Sequence, residues 1–501
     1  MRLVDVSVQD FVRQPSEEEW ARLSVYARRM RYFMDYNSDP PSEAALKLLN
    51  THFSGRCMLS GLRDIRWISA PPEHLEPMLP LIVSPVLTNF RLGLNNIHPL
   101  NALQVIPVLE SLAPAYNSLV EVRICQYLVH DPRTIKAAST LLLKCNPDKL
   151  RYFHVDSVLS IEALIHATQL PNLEQFFIRT DTTEPGIPLP ASTFPSLGYL
   201  EMKTTGTHSP LLQTLTNIQS TAFATLELEF PAAAIGTFLP TALAALRPRG
   251  LHQTLTRLSI TPDGAFDLDE ATIRPLLFLN QLTRLEISLY CGQDRCLYKL
   301  SDTNLEELVK AMPKLKSLCL GRFPCSHPAN STVRGFVSIA KHCKHLEELI
   351  IHANIEAIVA GVFQHDGAEG HTFEDPLPVF AECPLHTMIL GPCLIPGGQQ
   401  GAMVFALTLL RLFPHLVTAT AFDSTPEGGA QWELVDGVIA THGHICMSIA
   451  DAGKFSNLLP YKNFADVLQP LIRRSTKSYA CFSFLGSLIS RAFSTLYQGI
   501  S

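Results

Sequence analysis

Glycine, charge and long apolar runs are all scarce in this 501-residue chain. Glycines number 26 against 36 prolines, and charged residues make up only 17%. With 47% hydrophobic residues, such low charge excludes the solvated composition of a disordered chain. No stretch of about 20 uncharged apolar residues occurs, so no transmembrane helix is expected. The nearest approach, GAMVFALTLLRLF from Gly401 to Phe413, is interrupted by Arg411 and followed by Pro414. The opening MRLVDVSVQDF lacks an apolar run of signal length, and the 12 cysteines include no Cys-x-x-Cys pair. These absences predict a reduced intracellular protein, cytoplasmic or nuclear. A net charge of −6 and a pI near 6.3 offer nothing that would hold a nucleic-acid backbone.

Catalytic signatures are missing as well. There is no Gly-x-x-x-x-Gly-Lys-Ser/Thr phosphate loop, no Gly-x-Ser-x-Gly elbow, no His-Glu-x-x-His and no kinase signature. His442-Gly443-His444, with Cys446 nearby, lacks the second ligand pair that zinc wants, so a strand edge or turn is expected there. His365, Asp366 and His371 fall in a polar stretch that reads as an exposed loop. Cys291 and Cys296 are not at a redox spacing, and Cys319, Cys343 and Cys383 read as packing thiols. No enzyme activity, metal or cofactor is expected.

What the chain does have is a repeat. LTRL occurs at Leu255–Leu258 and again at Leu282–Leu285, and both copies extend to apolar-x-x-apolar-x-apolar. Such alternation suits a strand with one buried face. The template starts at Leu62, Leu87, Leu119, Leu150, Leu173, Leu197, Phe223, Leu255, Leu282, Leu315, Leu346 and Leu385, with a degraded copy at Leu416. Successive starts are 23 to 39 residues apart. One such triplet is weak in so apolar a chain; thirteen in series are not. Segments between them read as helices: SDTNLEELVKAM opens with capping residues and sets Leu305, Leu308, Val309 and Met312 on one face. GFVSIAKHC and MVFALTLLRLF behave alike.

The predicted fold is therefore an α/β solenoid of about 13 units, its parallel sheet concave and its helices outside. Residues 1–61 are expected to form an N-terminal helical cap, 62–422 the solenoid, and 423–501 an imperfect repeat and capping tail. In the cap, Ser16-x-x-Glu19 is a capping box ahead of Trp20, and a second helix is expected near SEAALKLLNTHF. In the tail, Phe482, Phe484, Leu485, Leu488, Ile489 and Phe493 approach helical spacing after Arg473, Arg474 and Lys477, suiting either a helix that covers the sheet end or an amphipathic helix for a membrane surface or a partner.

The units resemble the leucine-rich repeat, specifically the irregular kind of F-box proteins, whose Cys-Pro-x-Leu lead-in is similar to Cys343-Lys344-His345-Leu346 and Cys383-Pro384-Leu385. SEEEWARLSVYARRMRYF, Ser16 to Phe33, is similar to the segment opening the array in such proteins of mushroom-forming fungi. The resemblance implies a substrate receptor of a cullin-type ubiquitin ligase, with a Skp-type adaptor as partner. An F-box typically begins near Leu-Pro-x-Glu, and none of the 15 residues ahead of the Trp-bearing helix matches, so adaptor binding is expected to be weak.

The repeat itself implies a non-catalytic scaffold that binds a protein on the concave face. Because strand side chains alternate, the central outward position of each unit can be read off. In chain order the ladder runs Arg66, Arg91, Arg123, His154, Phe177 and Glu201, then Glu227, Ser259, Glu286, Cys319, Ile350, Ile389 and Thr420. Arg257 and Arg284 of the two LTRL copies join it as candidate contacts. The ladder starts basic, turns acidic and ends partly apolar. The three arginines are expected to serve an anionic partner or counter-ions elsewhere, and the two isoleucines a partner or the C-terminal segment.

Overall fold

The protein was analysed as a computed structural model that describes residues 13–35, 42–54, 56–67, 72–93, 102–125, 131–180, 190, 193–204, 209–289, 297–321, 329–358, 380, 382–391, 395–421 and 426–451. The calls on His365, Asp366, His371, Cys291, Cys296 and the tail beyond residue 451 lie outside these. The chain divides into two compact units, Met1–Cys325 and Ser326–Ser501.

The first unit carries β1 (Tyr32–Asp35), β2 (Asp64–Trp67), β3 (Asn89–Gly93), β4 (Glu121–Cys125), β5 (Tyr152–Val155) and β6 (Gln175–Thr180). It continues with β7 (Tyr199–Thr204), β8 (Thr225–Pro231), β9 (Arg257–Asp263), β10 (Arg284–Ile287) and β11 (Ser317–Leu320). Each strand pairs in parallel with the next in chain order. In the second unit β12 (Glu348–Ile351), β13 (Thr387–Leu390) and β14 (Thr418–Ala421) pair in the same way. This is the α/β solenoid that the repeat predicts.

The physical reason lies in the inward triplets. Leu62, Ile65 and Trp67 are buried, and so are their equivalents in each later unit as far as Leu416 and Ala419. Each fully buried Leu, Ile or Phe contributes about 1.5–3 kcal/mol, and a lone strand could bury none of them. The predicted helices form where expected, at Glu17–Arg29, Glu43–Phe53, Asp302–Ala311, Val333–His342 and Gly398–Leu412. The Ser16–Glu19 capping box closes in both directions. Ser301 and Asn304 form another at the start of Asp302–Ala311.

A second device fixes the register. At the turn before each strand, one carbonyl accepts two consecutive N–H groups from the following unit. Arg63 O accepts from Thr88 and Asn89, Thr88 O from Val120 and Glu121, and Thr256 O from Thr283 and Arg284. The second unit repeats it, with Glu347 O accepting from His386 and Thr387. These bonds need only backbone, so they tolerate spacings that vary between units.

Two expectations need correction. The N-terminal segment is not purely helical: Tyr32–Asp35 is a strand, β1, paired with β2. Arg31 pins the turn into it by donating from Nη1 to the carbonyls of Arg28 and Gly61. Gly61 has no alternative there, since a Cβ would meet the Arg28 carbonyl oxygen at 2.3 Å. Nor is His442-Gly443-His444 a strand edge or turn: it lies within the helix Pro426–Asp451. Trp432, Val435, Ile439 and His442 recur at helical spacing and are buried. That helix also satisfies the edge of β14, because Asp436 Oδ1 accepts from Ala419 N–H at 3.1 Å.

Candidate functional site

On the face opposite the inward triplets, the first unit presents its strands in two in-register rows. One row starts the strands: Asp64, Asn89, Glu121, Tyr152, Gln175, Tyr199, Thr225, Arg257 and Arg284. The other, two residues later, is the predicted ladder from Arg66 to Glu286. Neighbouring strands lie about 4.8 Å apart and the rows about 6.6 Å. Side chains therefore meet both across and along the strands.

The arginines do form a row, and the preceding row neutralises it. Asp64 takes both Nε and Nη2 of Arg66 at 3.3 Å. Glu121 accepts from Arg91 Nη2 at 2.7 Å and pairs with Arg123. Arg123 also donates to Gln175 Oε1 at 2.9 Å and lies over the Tyr152 ring. Both carboxylates are nearly inaccessible, with side chains 7% and 5% exposed, while the three guanidiniums keep about a third of their surface. Sequence reasoning missed Asp64 and Glu121 because it followed only the central row.

Next comes an apolar divide. The His154 ring stacks on Phe177 at 4.5 Å, and Phe177 is buried despite its outward parity. That burial corrects its placement as an accessible contact. Burial also holds the His154 imidazole well down, at a pKa of about 4, with Asp156 opposing and Arg123 adding to the effect. His154 Nδ1 lies 3.6 Å from Glu201 Oε2. The Glu201 carboxyl is pushed up to about 7, first by burial and further by Glu227, Asp156 and Glu229. Tyr199 donates to Glu201 at 2.9 Å, which draws its pKa back only in part.

Beyond the divide lies an open groove of about 630 Å³, built on the starts of β6 to β10. Arg257 and Arg284 stand on its rim, adjacent in register, and Glu227, Ser259 and Glu286 line it one row further on. Ser259 sits between the two glutamates, and its small side chain leaves the depression. Arg284 reaches Glu286 at 3.2 Å. Burial raises the Glu227 pKa, Glu286 adds to that, and Tyr199 and Arg284 oppose it.

In the second unit Ile350 and Ile389 are register neighbours on the strand face, each half-buried. Cys319, Cys343 and Cys383 are buried, and burial raises the thiols of Cys343 and Cys383 to about 12 and about 11. Among the described residues, no group of three or more His, Cys, Asp or Glu is placed to hold a metal ion, and no helix is long and apolar enough to cross a membrane.

No protein-family model matches the chain, and no curated protein matches it. Its class therefore rests on architecture: parallel strands in chain order, one per repeat, most of them followed by a helical return among the described residues. That is a repeat solenoid like those of leucine-rich-repeat proteins.

Proposed function

We propose that the chain is a non-catalytic protein-binding scaffold whose partner docks on the strand face of the first unit. The groove across β6 to β10 carries this reading. It is a recess beside a surface of paired charges and the His154–Phe177 stack. The arginine row is a poorer contact for an acidic segment, because Asp64 and Glu121 already occupy its inner side. A photo-crosslinking residue at Ser259 is expected to join the partner, and one at Glu306 on the helix Asp302–Ala311 is not. Crosslinks confined to the helix position would remove the strand face from consideration.

A narrower reading follows from the resemblance to F-box-type repeat proteins, in which a Trp-bearing helix runs into a basic strand. Here Glu17–Arg29 bears Trp20 and ends on Arg28 and Arg29, so the basic residues close the helix, and β1 follows at Tyr32–Asp35. Under it the chain would be the substrate-recognition subunit of a cullin-type ubiquitin ligase. The groove would then hold the substrate, and a Skp-type adaptor would bind elsewhere. A pull-down with the purified adaptor tests it: firm retention would promote the receptor reading, and no retention would count against it.

A further inference from the structure

We propose that the groove of the first unit receives an extended peptide bearing an acidic and a basic side chain two residues apart, the acid on Arg257 and Arg284, the base on Glu227 and Glu286. This deepens, and rests on, the protein-binding function proposed above.

The argument starts from ion pairs that the groove does not make. Arg257 is exposed and has no ion-pair partner among the described residues. Glu227 likewise has no ion-pair partner among them, and its polar contact is the Tyr199 hydroxyl. Elsewhere on this face most charged side chains meet an opposite charge: Arg66 meets Asp64, Arg91 and Arg123 share Glu121, Arg179 meets Asp156 and Lys203 meets Glu229. In the groove, among the described residues, Arg257 and Glu227 are the cation and the carboxylate that make no ion pair.

Register then sets their separation. Arg257 pairs across from Thr225, so Glu227 is its diagonal neighbour, one strand over and two residues on. From the strand spacing and rise, the two backbone positions lie roughly 8 Å apart. In an extended peptide, side chains two residues apart project from the same side at about 6.6 Å. A Glu-x-Arg or Asp-x-Lys segment laid along the strands thus matches the two rows. Its carboxylate would sit between guanidiniums on adjacent strands, which repel one another when unneutralised. Its cation would sit beside Glu286 and beside Glu227, whose charged form burial disfavours. Ser259 leaves room for both side chains to enter.

The test is fluorescence anisotropy with labelled, end-capped 12-residue Gly/Ser peptides containing Glu-Ala-Arg, Glu-Ala-Ala, Ala-Ala-Arg or Ala-Ala-Ala at the centre, against the full chain. Glu-Ala-Arg is expected to bind on the order of tenfold more tightly than either single-charge peptide. Arg257→Glu should erase its advantage, as should Ser259→Trp, which fills the recess. Arg257 is exposed, so its replacement should leave the thermal melt unchanged. Equal binding of Glu-Ala-Ala and Glu-Ala-Arg would make the groove a plain anion site and overturn the proposal. So would equal binding of Ala-Ala-Arg, or no binding at all. If every peptide fails while partner crosslinking at Ser259 succeeds, the scaffold function survives and only this ligand chemistry falls; if both fail, both are wrong.

Discussion

Two clusters of arginines occupy the same face of the same sheet, yet they are electrically unlike. Arg66, Arg91 and Arg123 on β2 to β4 lie against carboxylates that are almost fully buried. Arg257 and Arg284 on β9 and β10 line a groove, where among the described residues only Arg284 reaches a carboxylate in an ion pair. The difference is one of row. In the first cluster the arginines are central and their counter-ions start the strands. In the second the arginines start the strands and the glutamates are central. Burying the acid beneath a solvent-reaching arginine gives a closed, structural surface. Placing the arginine at the rim and the acid beside a serine leaves an opening. A charge ladder read along one row cannot separate these cases; two rows can.

If the clusters differ only on the outer face, the core beneath them should be equally demanding. Leu258→Ala under the groove is expected to cost about 2–5 kcal/mol, and Phe90→Ala under the arginine row about 3–5 kcal/mol. Both side chains are buried. Because units contact only their neighbours, each loss should appear as local opening, with new proteolytic cuts near the altered unit. A negligible cost at either site, by urea denaturation, would mean that the comparison mixes differences of core with differences of surface.

A smaller effect tests the counter-ions directly. Glu121→Ala removes the carboxylate that Arg91 and Arg123 share, with part of their charge still screened by solvent. A loss of about 1–3 kcal/mol is expected, below that for breaking a fully buried pair. Arg257→Ala should cost less than about 0.5 kcal/mol, because its side chain is exposed and makes no ion pair among the described residues. Equal costs in urea unfolding would erase the distinction between a structural and an available arginine cluster.

Much of this was legible beforehand. The inward triplets from Leu62 to Leu416 announce themselves because three apolar side chains per unit must alternate to be buried together. β1 escaped the template because the residue in register with Trp67 is Asp35, which is polar. The helix Pro426–Asp451 escaped because its glycines and histidines dilute a pattern that Trp432, Val435 and Ile439 nevertheless carry. Arg66, Arg91 and Arg123 were visible as a row. Asp64 and Glu121 were equally present, two residues earlier in the same strands. The groove was harder to see, since it depends on Ser259 being small between two glutamates on neighbouring strands. Phe177 was misjudged because parity assigns a face but says nothing of the His154 ring lying over it.

The smallest expected effect concerns the divide between the clusters, where His154 and Glu201 meet at 3.6 Å. Burial favours the neutral form of each, and the consequences for stability run in opposite directions. The His154 pKa falls to about 4 in the folded protein from 6.5. Between those values the unfolded chain binds the extra proton, so this group makes stability rise with pH. Glu201 moves the other way, from 4.5 to about 7. Over that interval the folded chain binds the extra proton, so this group makes stability fall as pH rises. From about pH 4.5 to 6.5 the two slopes oppose, and the pair should contribute little net pH dependence. Removing one partner uncovers the other. Glu201→Gln is expected to make unfolding free energy climb with pH across that window, and His154→Gln to make it decline, relative to the unaltered chain. Urea titrations at half-unit pH steps would read both slopes. Parallel curves for the two variants would show that the groups titrate independently of burial, and the divide would then be no more than a stacked ring between two charged regions.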